Sequence, residues 1–167
     1  KQFNKKYPNT KKMRENQRSK KMNERIEKIN SEIKKWKISI PIFIKVSPDE
    51  TKETLKYLVD KIINSSLEGV IATNTTVDKT LLKQKKYHAY NGGVSGSPLH
   101  NKSNEAVSYI RSLSQTIPII GVGGVLTRND YESKINAGAN VVQIYSGLII
   151  NGPSIILNIL KKNKRAS

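Results

Sequence analysis

The sequence predicts an α/β protein in which parallel strands alternate with helices. Four short apolar runs, at about 40–46, 69–73, 117–122 and 140–145, are separated by stretches whose apolar residues have helical spacing. Continuous β-branched runs are typical of parallel strands that are buried on both faces. A complete (β/α)8 barrel needs roughly 200 residues or more, whereas this chain has 167. We therefore expect a partial (β/α)8 TIM barrel of four to five β/α units, the fifth strand ending near Asn4.

The first half of the chain contains a charged amphipathic helix and two strand–helix units. Residues 11–37 place one apolar stripe on a helix, made of Met22, Ile26, Ile29, Ile33 and Trp36. The strand at 38–46 ends at Ser47, which we expect to cap the next helix, with Pro48 in its first turn and Glu50 completing a capping box. The apolar face of that helix consists of Leu55, Leu58, Val59, Ile62 and Ile63.

The second half opens with a polar segment, residues 74–101, that has no clear periodicity. A segment of that length inside a compact domain is usually a functional loop or lid. A helix at 104–113 precedes the next strand, with Ala106, Ile110 and Leu113 facing inward. We expect Thr127 to cap a helix that ends at Gly138, and a last helix to begin at Pro153. We treat the chain as one domain, with a basic loop and helix at 1–37, β/α units at 38–160 and a basic tail at 161–167.

The charge of the chain comes mainly from lysine. The formal net charge is +17, and residues 1–37 alone contribute +10 of it. Only six of the 30 basic residues are Arg, the residue that base and bidentate phosphate recognition favour. We interpret the charge as solvated helix faces and regard a nucleic-acid partner as unfavoured. A basic module that binds RNA or anionic lipid, derived from a degraded barrel enzyme, remains the alternative function.

Composition also limits the kind of protein this is. The chain contains no cysteine, which excludes disulfides and thiolate metal sites. It has no apolar run of the roughly 20 residues that a transmembrane helix needs, and its basic N-terminus lacks the apolar stretch of a signal peptide. By sequence alone we expect a cytoplasmic protein. His88 and His100 have no metal-ligand spacing, so we expect both to be solvated and predict no metal site.

Polar or glycine-rich residues follow each of the four strands. Lys45 ends the first, Thr73-Asn74-Thr75 the second, Gly123-Gly124 the third and Tyr145-Ser146-Gly147 the fourth. In parallel β/α proteins, function collects at the carboxyl ends of the strands. Gly121-Val122-Gly123-Gly124 lets backbone N–H groups approach an anion without interference from Cβ atoms. Together with Tyr145-Ser146-Gly147 before a short helix, it resembles the phosphate site after the last two strands of such barrels.

Two of these strand ends suggest further contacts. Lys45 is a cation in an apolar strand, which is costly unless the ammonium meets an anion or a hydrogen-bonded ligand. The alternative is a lysine that extends from the strand end to water. Thr73, Asn74 and Thr75 offer amide and hydroxyl groups suited to a planar polar heterocycle, although an ordinary turn would also use them.

Five blocks, taken together, resemble quinone-dependent (class 2) dihydroorotate dehydrogenases. In order and spacing, the matching blocks are 43–49 (FIKVSPD), 69–76 (GVIATNTT), 92–96 (GGVSG), 119–124 (IIGVGG) and 142–147 (VQIYSG). The match runs from about Asn4 to Leu160, over the C-terminal half of the family's catalytic barrel. It implies FMN-dependent oxidation of (S)-dihydroorotate to orotate, with quinone as acceptor, in pyrimidine (UMP) biosynthesis.

The resemblance also implies site residues. FMN contacts would come from Asn4, Lys45, Thr73, Gly96, Gly123, Gly124, Tyr145 and Ser146. Orotate contacts would come from Asn4, Asn9, Asn74 and Thr75. In the family the lysine lies at the N1/C2 carbonyl edge of the flavin, where its charge stabilises the reduced anionic form.

Three departures from the family pattern affect the expected activity. Tyr7 occupies the place of the family's catalytic serine, and Lys11-Lys12-Met13-Arg14 replaces the usual Pro-Gly-Leu-Arg. The third is that the family's N-terminal half, with its quinone-admitting and membrane-associated helices, has no counterpart here. We therefore expect an FMN-binding fragment that is inactive alone, whether a gene fragment, a degraded gene or one product of a split gene. Any membrane contact would come through the absent region.

Overall fold

The computed structural model of the chain describes residues 19–37 and 39–161. Helix and strand alternate along these residues, with three short 3-10 turns in the long polar segment, at Lys79–Leu81, Lys85–Tyr87 and Ser97–Leu99. The elements are α1 (Ser19–Trp36), β1 (Phe43–Val46), α2 (Lys52–Ile63), β2 (Gly69–Ala72), α3 (His100–Leu113), β3 (Ile119–Val122), α4 (Arg128–Asn136), β4 (Val141–Gln143), α5 (Ser146–Asn151) and α6 (Ser154–Leu160).

The four strands form one parallel sheet in the order β1-β2-β3-β4. Lys45 is in register with Ile71, Ile71 with Ile120, and Ile120 with Val141. Each strand therefore neighbours the next one along the chain, the usual arrangement of successive β/α units. The predicted α/β class and the parallel order are confirmed. The fifth strand expected near Asn4 lies outside the described residues.

The main core lies between one face of the sheet and helices α1, α2 and α3. Alternate strand residues point into it, including Val46, Val70, Ala72 and Ile119, all at most 1 % exposed. Ile26 of α1, Leu58 of α2 and Ile110 of α3 cover the core from the helix side. A smaller cluster of Val125, Ile155 and Ile159 packs α6 against the end of the sheet. Because side chains alternate along a strand, the opposite face carries Lys45, Ile71 and Ile120.

Several predicted boundaries and faces are wrong. β1 begins at Phe43 and not near residue 40, because Pro41 has no N–H group for a sheet ladder. Ile40 lies before the strand and is exposed. Trp36 is also exposed, with its ring N–H donating to Glu32 at 2.7 Å. Ile63 is 56 % exposed at the end of α2, although the other four predicted residues of that face are buried. β4 is only three residues long.

The capping box predicted at Ser47 is wrong as well. The hydroxyl of Ser47 accepts from Asp49 N at 3.2 Å, and its carbonyl accepts from Glu50 N, so these residues form a turn. α2 begins one turn later, capped by Thr51, whose hydroxyl accepts from Thr54 N. At α4 the prediction is confirmed: Thr127 is the N-cap and forms a capping box with Asp130. Across the described part of the chain, no helix is long and apolar enough to span a membrane.

Candidate functional site

A cavity of about 1720 Å³ lies at the carboxyl ends of the strands, beneath the long segment that follows β2. Nine residues predicted as cofactor or substrate contacts line it, and they come from all four strand ends and from that segment. They are Lys45, Thr73, Asn74, Thr75, Gly96, Gly123, Gly124, Tyr145 and Ser146. Asn4, Tyr7 and Asn9 lie outside the described residues. The structure therefore brings together every predicted site residue that it describes.

Lys45 reaches the cavity in a different setting from the one predicted. Its neighbours Ile44 and Val46 turn toward the helices, so the lysine side chain emerges on the cavity face of β1 and is exposed. Lys45 is therefore not a desolvated cation, as was expected, because the cavity side of the sheet is open to water; its exposure agrees with the alternative of a lysine that extends to water. What remains is a lysine ammonium placed at the cavity wall.

The Thr73-Asn74-Thr75 segment, which follows β2, is hydrogen-bonded to the strands on either side of it. Thr73 N donates to Val122 O at 2.8 Å and Asn74 N donates to Val46 O at 2.7 Å, so the segment is anchored on β3 and β1. The buried Thr73 hydroxyl donates to Asn74 O, and Asn74 Oδ1 accepts from Thr75 N at 2.9 Å. These local bonds fix the amide and hydroxyl groups at the cavity edge.

The glycines that line the cavity differ in what a side chain at each position would meet. Gly123 and Gly124 have φ of +127° and +71°. A Cβ atom on Gly124 would lie 2.5 Å from His100 Cα, so it would meet α3. Glycine is therefore needed at position 124 for close packing against α3, and the predicted approach of its backbone to an anion stays a prediction. At Gly96 (φ +75°), a Cβ atom would meet only Ser146 Cβ, at 3.9 Å, across open space.

Gly96 and Ser146 meet at the far side of the cavity. The Ser146 hydroxyl donates to Ser95 Oγ at 3.0 Å, which ties the start of α5 to the 92–96 loop. Tyr145, which precedes it, is 70 % exposed. The Gly96–Ser146 pair thus forms a small cradle with hydroxyl groups beside it and room that a side chain on Gly96 would fill. A phosphate-bearing group such as FMN fits this donor set.

An ion cluster at the cavity edge has no counterpart in the sequence-based prediction. Lys102 Nζ lies 2.7 Å from Asp49 Oδ1 and 3.4 Å from Asp78 Oδ2. Burial raises the pKa of Asp49, but hydrogen bonds from Lys102, Thr76 and Val77 outweigh it and leave the pKa low. For Lys102, burial lowers the pKa, and the two carboxylates more than reverse that effect. Lys102 is 53 residues from Asp49 and 24 residues from Asp78, so local sequence gave no signal of this cluster.

His100 was expected to be solvated, and this is wrong. It is the first residue of α3, and its side chain is 17 % exposed. Nδ1 lies 3.0 Å from Gly124 O, and Nε2 lies 3.1 Å from Asn104 Nδ2. The imidazole is therefore packed directly behind the Gly123–Gly124 turn. His88 is exposed, as predicted.

A strand-end cavity on a parallel sheet covered by helices defines part of a (β/α)8 barrel. The family model of dihydroorotate dehydrogenase matches residues 2–166. A dihydroorotate dehydrogenase (quinone) from Buchnera aphidicola subsp. Schizaphis graminum is 44 % identical over 128 residues, which are 76 % of this chain and 38 % of the relative. One from Dichelobacter nodosus is 42 % identical over 74 % of this chain and 36 % of its own length. The chain belongs to the dihydroorotate dehydrogenase family.

Solved structures give the same result for the fold. The crystal structure of DHODH from Eimeria tenella in complex with ferulenol has a TM-score of 0.82 and 29 % sequence identity. The alignment covers 91 % of this chain and 45 % of that chain. The ligand-free type DHODH of the same organism has a TM-score of 0.81. The prediction of a partial barrel from the quinone-dependent class of this oxidoreductase family is confirmed, and the chain spans less than half the length of these relatives.

Proposed function

We propose that this chain supplies the FMN- and orotate-holding half of a quinone-dependent dihydroorotate dehydrogenase in pyrimidine synthesis. One observation carries the proposal: nine residues from four strand ends and one loop, which the family resemblance implies as ligand contacts, line a single cavity. The family to which the chain belongs supports the same reaction class. The alternative of a basic RNA- or lipid-binding module has no finding in its favour.

The residues divide between the two ends of the cavity. We assign Gly96 and Ser146 to the phosphate group of FMN, with Gly123, Gly124 and Tyr145 around it. Lys45 and Thr73 are assigned to the flavin ring, and Asn74 and Thr75 to orotate, together with Asn4 and Asn9. FMN, when bound, accepts hydrogen from dihydroorotate and passes electrons on to quinone. The positive charge of Lys45 favours the reduced anionic ring.

The proton on C5 of dihydroorotate needs a base in this reaction. Tyr7 stands where the family has a serine, and its hydroxyl is several ångströms farther from the backbone. The unperturbed pKa of a phenol, about 10, does not exclude it as a base. Geometry is the obstacle, because a misplacement of about 1 Å can cost about a hundredfold in rate. We therefore expect slow turnover or none with Tyr7 in place.

We also propose that the activity requires a complementary N-terminal half, which would complete the barrel and the quinone route. Any contact with the inner face of a membrane would come through that half. The remaining strands would cover Ile71, Ile120 and the other residues on the open face of the sheet.

The test is an assay of dihydroorotate-dependent quinone reduction. The chain is coexpressed with the N-terminal half of the Buchnera relative, with either Tyr7 or the substitution Tyr7→Ser. We expect rapid reduction only with Tyr7→Ser, and its loss in the double variant Tyr7→Ser, Lys45→Met. Equal rates from Tyr7 and Tyr7→Ser would contradict the assignment of Tyr7. No reduction by any variant, with FMN bound and the Buchnera parent active, would contradict the proposed function.

A further inference from the structure

Lys102 is the centre of a network that joins three separate parts of the cavity wall. Its ammonium group contacts Asp49, in the loop after β1, and Asp78, in the loop after β2. It also donates to the hydroxyl of Thr76 at 3.3 Å. Lys102 itself lies in the first turn of α3. One side chain therefore connects the end of β1, the end of β2 and the helix that precedes β3.

The two carboxylate oxygens of Asp49 accept hydrogen bonds from the loop after β2. Oδ1 accepts from the Thr76 hydroxyl, and Oδ2 accepts from Val77 N at 2.8 Å. Thr76 is fully buried, at 0 % exposure. Since Asn74 and Thr75 directly precede this anchor, their position depends on it.

Thr76, which Asp49 holds, is also bound to the 92–96 loop. Thr76 and Val94 form an antiparallel bridge, with Val94 N donating to Thr76 O at 2.7 Å. Val94 is buried and lies two residues before Gly96. The network around Lys102 thus ends at both proposed ligand-binding segments, 74–75 and 96.

We propose that Lys102 is a positioning residue, which sets the Asn74-Thr75 segment for orotate without touching a ligand. This inference rests on the proposed function. Without the ammonium group, Asp49 and Asp78 would keep their negative charges in a half-buried space with no neutralising cation. The carboxylate of Asp49 would then turn to water and release Thr76 and Val77. Thr73, which is assigned to the flavin ring, would stay on β3 through its backbone bond to Val122 O, so the loss falls on the segment nearest Thr76, at the orotate end.

The two carboxylate partners of Lys102 differ in their distance from its ammonium group. Asp49 makes the shorter contact to Lys102 and holds both Thr76 and Val77, whereas Asp78 lies farther away and caps its own 3-10 turn. Loss of the charge at Asp49 should therefore resemble loss of Lys102, and loss of the charge at Asp78 should have a small effect. A purely structural role would predict no such order in ligand affinity.

The experiment measures orotate affinity on the FMN-loaded complex of this chain with the N-terminal half of the Buchnera relative. Orotate is detected by its effect on the absorbance of bound flavin. We expect Lys102→Met and Asp49→Asn to raise the Kd for orotate at least about tenfold, about 1.4 kcal/mol, because displacement of the Asn74-Thr75 segment removes hydrogen bonds to orotate. Flavin content should stay near that of the parent, because the loop before Gly96 keeps both backbone hydrogen bonds of the Thr76–Val94 bridge. Lys102→Arg should recover most of the affinity, and Lys56→Met, which removes an exposed lysine on α2, should change nothing.

Each outcome decides a separate point. An unchanged Kd in Lys102→Met, in a complex whose parent binds FMN and orotate, overturns the positioning role and leaves the proposed function standing. Parallel loss of FMN, orotate affinity and thermal stability that Lys102→Arg does not restore assigns Lys102 to folding alone and also overturns it. A parent complex that binds FMN but no orotate overturns the proposed function, and with it the role of Lys102.

Discussion

At the scale of single residues, the glycines with positive φ make a matched pair. Gly124 and Gly152 have nearly the same φ, +71° and +68°. A Cβ atom at Gly124 would lie 2.5 Å from His100 Cα, whereas at Gly152 it would meet nothing within 4 Å. Gly152 has ψ −175°, in a region that residues other than glycine avoid, so a side chain has a backbone cost at both positions. Only Gly124 adds a clash with α3.

We predict that Gly124→Ala lowers the free energy of unfolding by at least about 1–3 kcal/mol through overpacking against α3, whereas Gly152→Ala has only its backbone cost. Urea unfolding of the chain measures both variants. Equal losses would show that α3 moves away at little cost.

Lys134 is the fully buried cation of the described core, at 0 % exposure. Its ammonium donates to Ser103 Oγ at 2.8 Å, and the Ser103 hydroxyl donates in turn to Val122 O. Burial lowers the pKa of Lys134 to about 8, and Asp130 only partly offsets that effect. In the unfolded chain the pKa is about 10.4. Between these two values the unfolded state binds the extra proton, so stability rises with pH in that window and the penalty is complete below it.

We predict that the free energy of unfolding rises between pH 8 and 10 by up to about 1.4 kcal/mol per pH unit more in the parent than in Lys134→Met. At pH 7 the methionine variant should be at least as stable, since an apolar side chain of similar length replaces a buried charge. Denaturation curves measured across this range test the slope. Parallel pH dependences would contradict a low pKa for Lys134.

Lys45 shows what sequence can and cannot tell at this scale. Its place at the end of an apolar strand predicted a position on the cavity, and the structure has it there. Its solvation could not be predicted, because that depends on what covers the opposite face of the sheet. Gly124 gives the same lesson, since the atom that excludes a side chain belongs to His100, 24 residues away.

At the scale of elements, α4 is held by its N-terminal capping box. The Thr127 hydroxyl accepts from Asp130 N at 3.2 Å, and the Asp130 carboxylate accepts from the backbone N–H groups of Thr127 and Leu126. Burial raises the pKa of Asp130, but these hydrogen bonds and nearby His100 outweigh it and leave the pKa lowered.

We predict that Thr127→Ala lowers the free energy of unfolding by about 1 kcal/mol, the usual contribution of an N-cap hydroxyl. Thr127→Ser keeps the hydroxyl and should cost much less. Thermal unfolding of the two variants measures the difference. If Thr127→Ser lost as much free energy of unfolding as Thr127→Ala, the threonine methyl group, and not the cap, would stabilise α4.

The two predicted helix caps, at Ser47 and Thr127, show why elements were only partly predictable. Thr127 and Asp130 cap their own helix, so local sequence was sufficient. At Ser47 the same local pattern failed because Asp49 is bound by Thr76, Val77 and Lys102, more than 25 residues away. The existence and order of strands and helices followed from apolar periodicity, while this boundary was decided by tertiary contacts.

At the scale of the whole molecule, the described sheet has two edge strands, β1 and β4, and an open face. Large apolar side chains are exposed near β4 and on α5 and α6, including Val141, Ile149, Ile150, Leu157 and Leu160, each at least 58 % exposed. Unpaired edges and exposed apolar surface favour association. The net charge of +17 opposes contact between copies of the chain.

We therefore predict that the isolated chain self-associates as salt screens its charge, and that the complementary half of the barrel suppresses this association. Sedimentation at low and high ionic strength, with and without that half, tests the claim. A sharp cooperative thermal transition from a dilute, monomeric sample at both salt concentrations would contradict it.

The central claim is that FMN binds with its phosphate at the cradle of Gly96 and Ser146. Gly96 and Gly152 have similar φ, +75° and +68°, but only Gly96 lines the cavity. The decisive measurement is the Kd for FMN, by quenching of flavin fluorescence, of the chain assembled with the N-terminal half of the Buchnera relative. We predict that Gly96→Val weakens binding at least about a hundredfold, the loss of about 2.7 kcal/mol or more, while Gly152→Val leaves it unchanged. Equal affinity in the two variants would contradict the account.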